Sequence, residues 1–152
     1  MAFTLTSPAF ADGAFIPVRY TCDGENLSPP LQWADPPSGT RSFVLIVDDP
    51  DAPAGTFTHW VLFDLPGAER HLPEAPPQKT AGRSGRNDFG KQGYGGPCPP
   101  RGHGPHRYFF RLSALDVDSL KLAAGARRSE VEAAMKGHVL GAAQLMGRYE
   151  RR

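Results

Sequence analysis

The sequence has little cysteine: Cys22 and Cys98 are the only two among 152 residues, without the paired C-x-x-C spacing of a structural zinc site. A framework of several disulfides is excluded. The expectation is two free thiols in Gly/Pro-rich loops, with a single bridge between them as the alternative. An excess of charge is equally absent, since 17 basic residues stand against 16 acidic ones for a formal charge of +1. Nucleic acid and anionic membrane surfaces therefore have no electrostatic footprint here, and any anion binding must be local. Long apolar runs are missing too: no stretch approaches the ~20 residues of a membrane span. The opening MAFTLTSPAF lacks the basic start and apolar core of a secretory signal. A soluble, cytoplasmic protein without nucleic-acid partners or stable membrane insertion is expected.

What is abundant is glycine and proline, 17 and 16 residues, about twice their usual combined share. Many fixed turns and short strands follow, within one domain spanning 1–152, a length that buries roughly two thirds of its unfolded surface. Phe43–Val47 is an apolar run of strand length between turn signals and reads as a central strand. Thr58–Leu65 alternates, with His59, Val61, Phe63 and Leu65 on one face and Trp60, Leu62 and Asp64 on the other. Arg107–Leu115 sets Tyr108, Phe110, Leu112 and Ala114 together on one face. Shorter strands are expected at Phe3–Thr6, Val18–Thr21 and Leu31–Trp33. From Pro66 to Tyr108 the chain reads as one long loop, and loops beyond about 12–15 residues without structure of their own are commonly functional. A helix is expected from Ser129, where S-x-x-E to Glu132 forms a capping box. Val131, Met135, His138, Val139, Ala142, Leu145 and Met146 then share a broad face, which makes His138 a packed or capping residue rather than a ligand.

Three of five histidines, His59, His103 and His106, lie in two unusual segments. Asp49 ends the central strand, His59 begins the next, and His106 precedes the third with Tyr108 two residues on, hence on the same face. If these strands are neighbours, the four side chains converge at one rim. Imidazolium N–H and phenol O–H groups can hold a phosphate-like anion, and backbone amides of Gly95–Cys98 could form a nest beside them. Asp49 then acts behind the ligand, orienting a histidine ring and raising its pKa. The alternative is that Asp49 caps a turn and the histidines are simply buried.

The segments DPDAP at Asp49–Pro53, THW at Thr58–Trp60 and GPCPPRGHGPHRY at Gly96–Tyr108 resemble the two signature regions of the phosphatidylethanolamine-binding protein family. The opening YTCDGENLSPPLQW from Tyr20 and the closing HVLGAAQLMGRYER from His138 resemble its bacterial, Raf-kinase-inhibitor-like branch. The resemblance implies a mainly β fold of two antiparallel sheets with Greek-key topology plus a C-terminal helix. It also implies non-catalytic binding of phosphate or a phosphorylated head group in a small rim pocket, with no cofactor. Carried over by position, Asp49, His59, His106 and Tyr108 match the pocket's polar residues, and backbone around Gly96, Pro97 and Cys98 completes it. Pro50, Pro53 and Pro99 would hold the walls, with a cis peptide expected between Ala52 and Pro53. A homodimer is implied as well. Compared with mammalian members, the longer C-terminal region is missing, which speaks against kinase inhibition, and Cys98 replaces glycine, which changes the pocket mouth.

Two rival functions stand beside this one. Two histidines and an aspartate can form a metal site, and His103-x-x-His106 favours that pattern, although H-E-x-x-H is absent. A kinase or protease inhibitor would instead act through surface loops such as Gly82–Gly93, which carries Arg83, Arg86 and Lys91. Nucleophilic catalysis lacks a G-x-S-x-G elbow, and Cys98 between prolines has no activating helix start.

Overall fold

The computed structural model describes residues 2–75 and 82–152; part of the long loop expected after Pro66, residues 76–81, lies outside them. Among the described residues eight strands form two antiparallel sheets. The smaller contains β1 (Thr4–Thr6), β2 (Leu31–Ala34) and β5 (His71–Leu72) in the order β1-β2-β5. The larger joins β3 (Ser42–Asp49), β4 (Phe57–Pro66), β6 (Arg83–Ser84), β7 (His106–Leu115) and β8 (Val139–Tyr149) in the order β6-β4-β3-β7-β8. The expected mainly β architecture is thus present. The expected long loop contains two short strands of its own, β5 and β6.

Strand β3 explains why its sequence is a continuous apolar run: all eight residues are buried, because the large sheet is covered on both faces. On one side Phe43, Leu45, Trp60, Leu62, Phe110 and Leu112 pack with Leu5, Leu31, Trp33 and Leu72 of the small sheet. On the other, Val44, Ile46, Val61, Phe63 and Leu115 pack against Val131 and Met135 of α1 (Arg128–Met135). Burial of such side chains contributes about 1.5–3 kcal/mol each, so the two faces together fix β3 as the axis of the fold.

Several expectations are corrected. The helix ends at Met135 rather than continuing to Met146, and residues from Val139 form β8, paired with β7 from His106↔Tyr149 to Leu115↔Val139. Gly137, at φ +86°, takes the left-handed conformation that stops a helix. Beyond it, burial alternates through Ala143, Leu145, Gly147 and Tyr149, the period of a strand. Gly147 also suits this placement, because a Cβ there would lie 2.5 Å from Ile16 Cγ1. The helix begins one residue before Ser129, and the carboxylate accepting from the N-cap amide is Glu130 on Arg127 N–H, at 2.9 Å. His138 is neither packed nor capping in the core sense: it is partly exposed, with Nδ1 2.9 Å from Asp116 Oδ1. Val18–Tyr20 is a 3-10 turn, not a strand. No peptide bond is cis among the described residues, including Ala52–Pro53. Cys22 and Cys98 are joined, their Cα atoms 5.4 Å apart across 76 residues of chain. They are not free thiols, because the fold brings two loops distant in sequence side by side.

Candidate functional site

At the rim where β3 ends and β4 and β7 begin, a cavity of about 210 Å³ is lined by Asp49, Ala52, Pro53, Phe57, His59 and Phe89 on one side. Cys98, Pro99, Pro100, His106 and Tyr108 complete it. Asp49, His59, His106 and Tyr108 therefore do converge, because β4 and β7 flank β3 on either side. Pro53, Cys98 and Pro99 supply wall, whereas Pro50, Gly96 and Pro97 are not part of the lining.

How each polar side chain is aimed follows from the backbone. Asp48 and Asp49 are consecutive and point to opposite faces. Asp48, 1% exposed, accepts from Arg111 and Arg128 on the helix-covered face, at 3.1 and 2.9 Å. Asp49, 3% exposed, faces the cavity side. Its Oδ1 accepts the Asp51 amide at 2.8 Å, and its Oδ2 lies 2.7 Å from His106 Nδ1. A carboxylate can only accept, so His106 Nδ1 carries the proton in this bond. Asp51 in turn holds the start of β7, accepting from Arg107 N, Nε and the guanidinium NH2, each at 2.9 Å. These bonds keep the Asp51 carboxyl below its ordinary range.

His59 reaches the cavity through an irregularity. Val47 lies opposite Trp60 and Asp48 opposite Thr58, so His59 is one extra residue in β4. Such a bulge re-aims the side chain it contains. Strict alternation would group His59 with Val61 on the helix side; instead its ring stands edge-on to Tyr108, 5.2 Å between centroids. A second irregularity at Asp64, φ +58°, moves Leu65 to the face of Trp60 and Leu62. His59 Nδ1 lies 2.7 Å from the Gly95 carbonyl oxygen, which can only accept, so Nδ1 is protonated and Nε2 is the remaining polar atom. Burial pushes the His59 pKa down, opposed by the Gly95 carbonyl and by the charge of Asp49. The neutral ring therefore offers an acceptor at Nε2.

Tyr108 is 1% exposed. Its hydroxyl is the one buried side-chain polar atom among the described residues without a hydrogen-bond partner. Burial, then the charge of Asp49 and the approach of its carboxylate as an acceptor that falls short of a well-formed hydrogen bond, hold its pKa far above the ordinary phenol range, so it stays an O–H donor. Of the expected nest of backbone amides, two are committed elsewhere. Gly95 N–H donates to the His59 carbonyl at 3.0 Å and Gly96 N–H to Asn26 Oδ1 at 2.9 Å, while Pro97 has no N–H and its carbonyl accepts from Cys22 N–H. These bonds, together with the Cys22–Cys98 bridge, hold this wall of the cavity instead.

Residues 6–150 match the family model described as phosphatidylethanolamine-binding protein. The chain belongs to the phosphatidylethanolamine-binding protein family. Among similar relatives, the UPF0098 protein of Aquifex aeolicus is 55% identical over 148 residues, covering 95% of this chain and 86% of that protein. The crystal structure of a phosphatidylethanolamine-binding protein homolog from Chlamydia trachomatis superposes with a TM-score of 0.92 at 40% identity, covering 99% of both chains. Escherichia coli YbcL, a member of the same family, superposes at 0.91 and 31% identity over the whole of both chains.

Within this family member, the residues that reading the sequence missed are aromatic. Phe57 and Phe89 stack edge-on at 4.8 Å and both pack on His59, at 4.9 and 5.4 Å, forming an aromatic side to the cavity. Phe89 lies in a Gly-rich stretch with no periodicity to reveal it. A Cβ on Gly95 would lie 2.4 Å from the Phe89 ring, so the glycine makes room for it. His103 does not line the cavity, yet its Nδ1 sits 2.6 Å from His106 Nε2, completing a chain from Asp49 through His106 to an exposed imidazole.

Proposed function

We propose that this protein binds, without turning over, the oxyanion of a small phosphate or phosphorylated head group in the cavity at Asp49, His59, His106 and Tyr108. The carrying observation is the Tyr108 hydroxyl: a buried donor whose hydrogen bond is unmade, in the same cavity as the open acceptor at His59 Nε2. An unsatisfied buried polar group costs about 1–3 kcal/mol, and a ligand oxygen beside it recovers that cost. The volume, about 210 Å³, is below the ~300–1,000 Å³ of pockets for drug-sized molecules and suits a head group rather than a whole lipid.

Charge refines the ligand. Asp49 is buried, and the neutral His59 presents an acceptor, so a fully deprotonated phosphate meets no free cation among the described lining residues. The bound form carries a proton, either on a phosphate oxygen that donates to His59 Nε2 or on Nε2 itself. In the second case binding takes up a proton, because the negative charge beside the ring raises the pKa that burial lowers. Affinity falls as pH rises through the pKa that His59 has in the complex.

Absence of turnover is supported by the lining, which contains no serine, threonine or lysine and whose one cysteine is bridged. The metal alternative is disfavoured at Asp49, whose two oxygens already accept from the Asp51 amide and from His106 Nδ1. Residence in an oxidising compartment is favoured over the cytoplasm by the Cys22–Cys98 bridge. The test is a titration with phosphate and O-phosphorylethanolamine in the presence of chelator, following the His59 and His106 ring signals by NMR. Saturable shifts of both rings, weakened in Tyr108→Phe, support the reading; rings that respond only once zinc or iron is added refute it.

A further inference from the structure

His106 is a residue of the proposed anion pocket, yet it has no free atom with which to meet a ligand. Its Nδ1–H is spent on Asp49 Oδ2 at 2.7 Å. Its Nε2 is 2.6 Å from Nδ1 of His103, with the two rings edge-on and 4.8 Å apart. Whichever nitrogen holds the shared proton, one bond occupies that position, and a ligand oxygen at Nε2 must take the place of His103.

The two histidines are held very differently. His106 is 2% exposed, at the first position of β7, and locked behind Asp49. His103 is exposed, between Gly102 at φ +75° and Gly104 at φ +84°. Its main chain is anchored, with His103 N–H on the Pro100 carbonyl at 3.2 Å and Gly102 N–H on the Arg151 carbonyl at 2.8 Å. The ring can therefore leave by side-chain rotation, on the ps–ns scale of exposed rotamers, without moving the turn. Leaving also sets it in water, where its hydrogen bonds are replaced at once.

We propose that His103 is a built-in plug on His106, a ligand-mimicking side chain that occupies Nε2 in the empty protein and is displaced by the phosphate oxygen on binding. This rests on the anion-pocket reading and deepens it. His103 sets affinity by competition and keeps the buried Asp49–His106 pair fully hydrogen-bonded when no ligand is present. It is a positioning residue for His106, not part of the cavity wall.

The test measures inorganic phosphate affinity by calorimetry for the full chain, for His103→Ala and for His103→Gln, with the nitrogen shifts of the His106 ring recorded in each ligand-free protein. Removing the competitor tightens phosphate binding about 3–10-fold, the range of one modest hydrogen bond, and moves the His106 Nε2 signal. The glutamine amide can donate to Nε2 and brings both quantities back towards those of the native protein. Unchanged or weaker binding by His103→Ala, with native phosphate binding intact, overturns the plug alone. Failure of the native protein to bind phosphate overturns the pocket reading and the plug with it. Because His103 is exposed, His103→Ala is expected to fold, and the melting temperature of each variant checks this.

Discussion

Replacing Tyr108 by phenylalanine sets stability and binding against each other. In the ligand-free protein the hydroxyl is buried and unpartnered, so its removal leaves nothing unsatisfied, and stability rises by about 1–3 kcal/mol. At this chain length each kcal/mol shifts the melting temperature by about 2–4 °C. A rise of several degrees without ligand is expected. With ligand the order changes: a hydrogen bond to an anion contributes about 1.5–3 kcal/mol, so phosphate binds about 10–100-fold more weakly to the variant. At a phosphate concentration 100 times the native Kd, the native protein gains about 2.7 kcal/mol, while a tenfold weaker variant gains about 1.4 kcal/mol. Thermal melts over a phosphate series therefore start with the variant higher and converge or cross as ligand is added. A variant that melts lower without ligand, and gains as much from phosphate as the native protein does, refutes the reasoning: the hydroxyl then already has a partner.

Three further outcomes are expected. The buried His59 has its pKa lowered in the fold, so below an ordinary value of about 6.5 the unfolded chain binds a proton that the native one does not. Stability, measured by urea titration, is then fully present above that pH and falls as pH drops towards the folded pKa; His59→Gln flattens this part of the profile. Replacing Cys22 and Cys98 together by serine lowers stability by about 2–4 kcal/mol, and mass spectrometry of the unreduced, denatured native protein, with both cysteines in place, shows no label added by iodoacetamide. Arg111→Ala with Arg128→Ala leaves the 1% exposed Asp48 carboxylate without its two cations and costs about 3–5 kcal/mol, while phosphate affinity measured by calorimetry stays native.

Much of the site was legible because it depends on period and adjacency alone. Tyr108, Phe110, Leu112 and Ala114 alternate as written, and all four lie in the core between the sheets. Asp49, His59 and His106 stand at strand ends, so finding the strands was enough to bring them to one rim. What escaped depends on contacts remote in sequence. The extra residue at His59 is defined only by its pairing with β3, and a strict alternation puts that ring on the wrong face. The Cys22–Cys98 bridge spans 76 residues, too far for local pattern to register. The run from Val139 satisfies a helical spacing and a strand spacing at once; Gly137, Gly141 and Gly147 were the local signs against a helix, and ten paired positions on β7 decided for the strand. The Gly95 and Gly96 amides were available on paper, but only the fold shows them already spent on His59 and Asn26.

The divergence of Asp48 and Asp49 makes this strand end two addresses in one dipeptide. One carboxylate answers to the helix and two arginines, the other to the cavity and a histidine, and a peptide bond is all they share. A designer can rebuild the first environment while leaving the second untouched. A change of ligand can likewise proceed at Asp49 without disturbing how the helix docks.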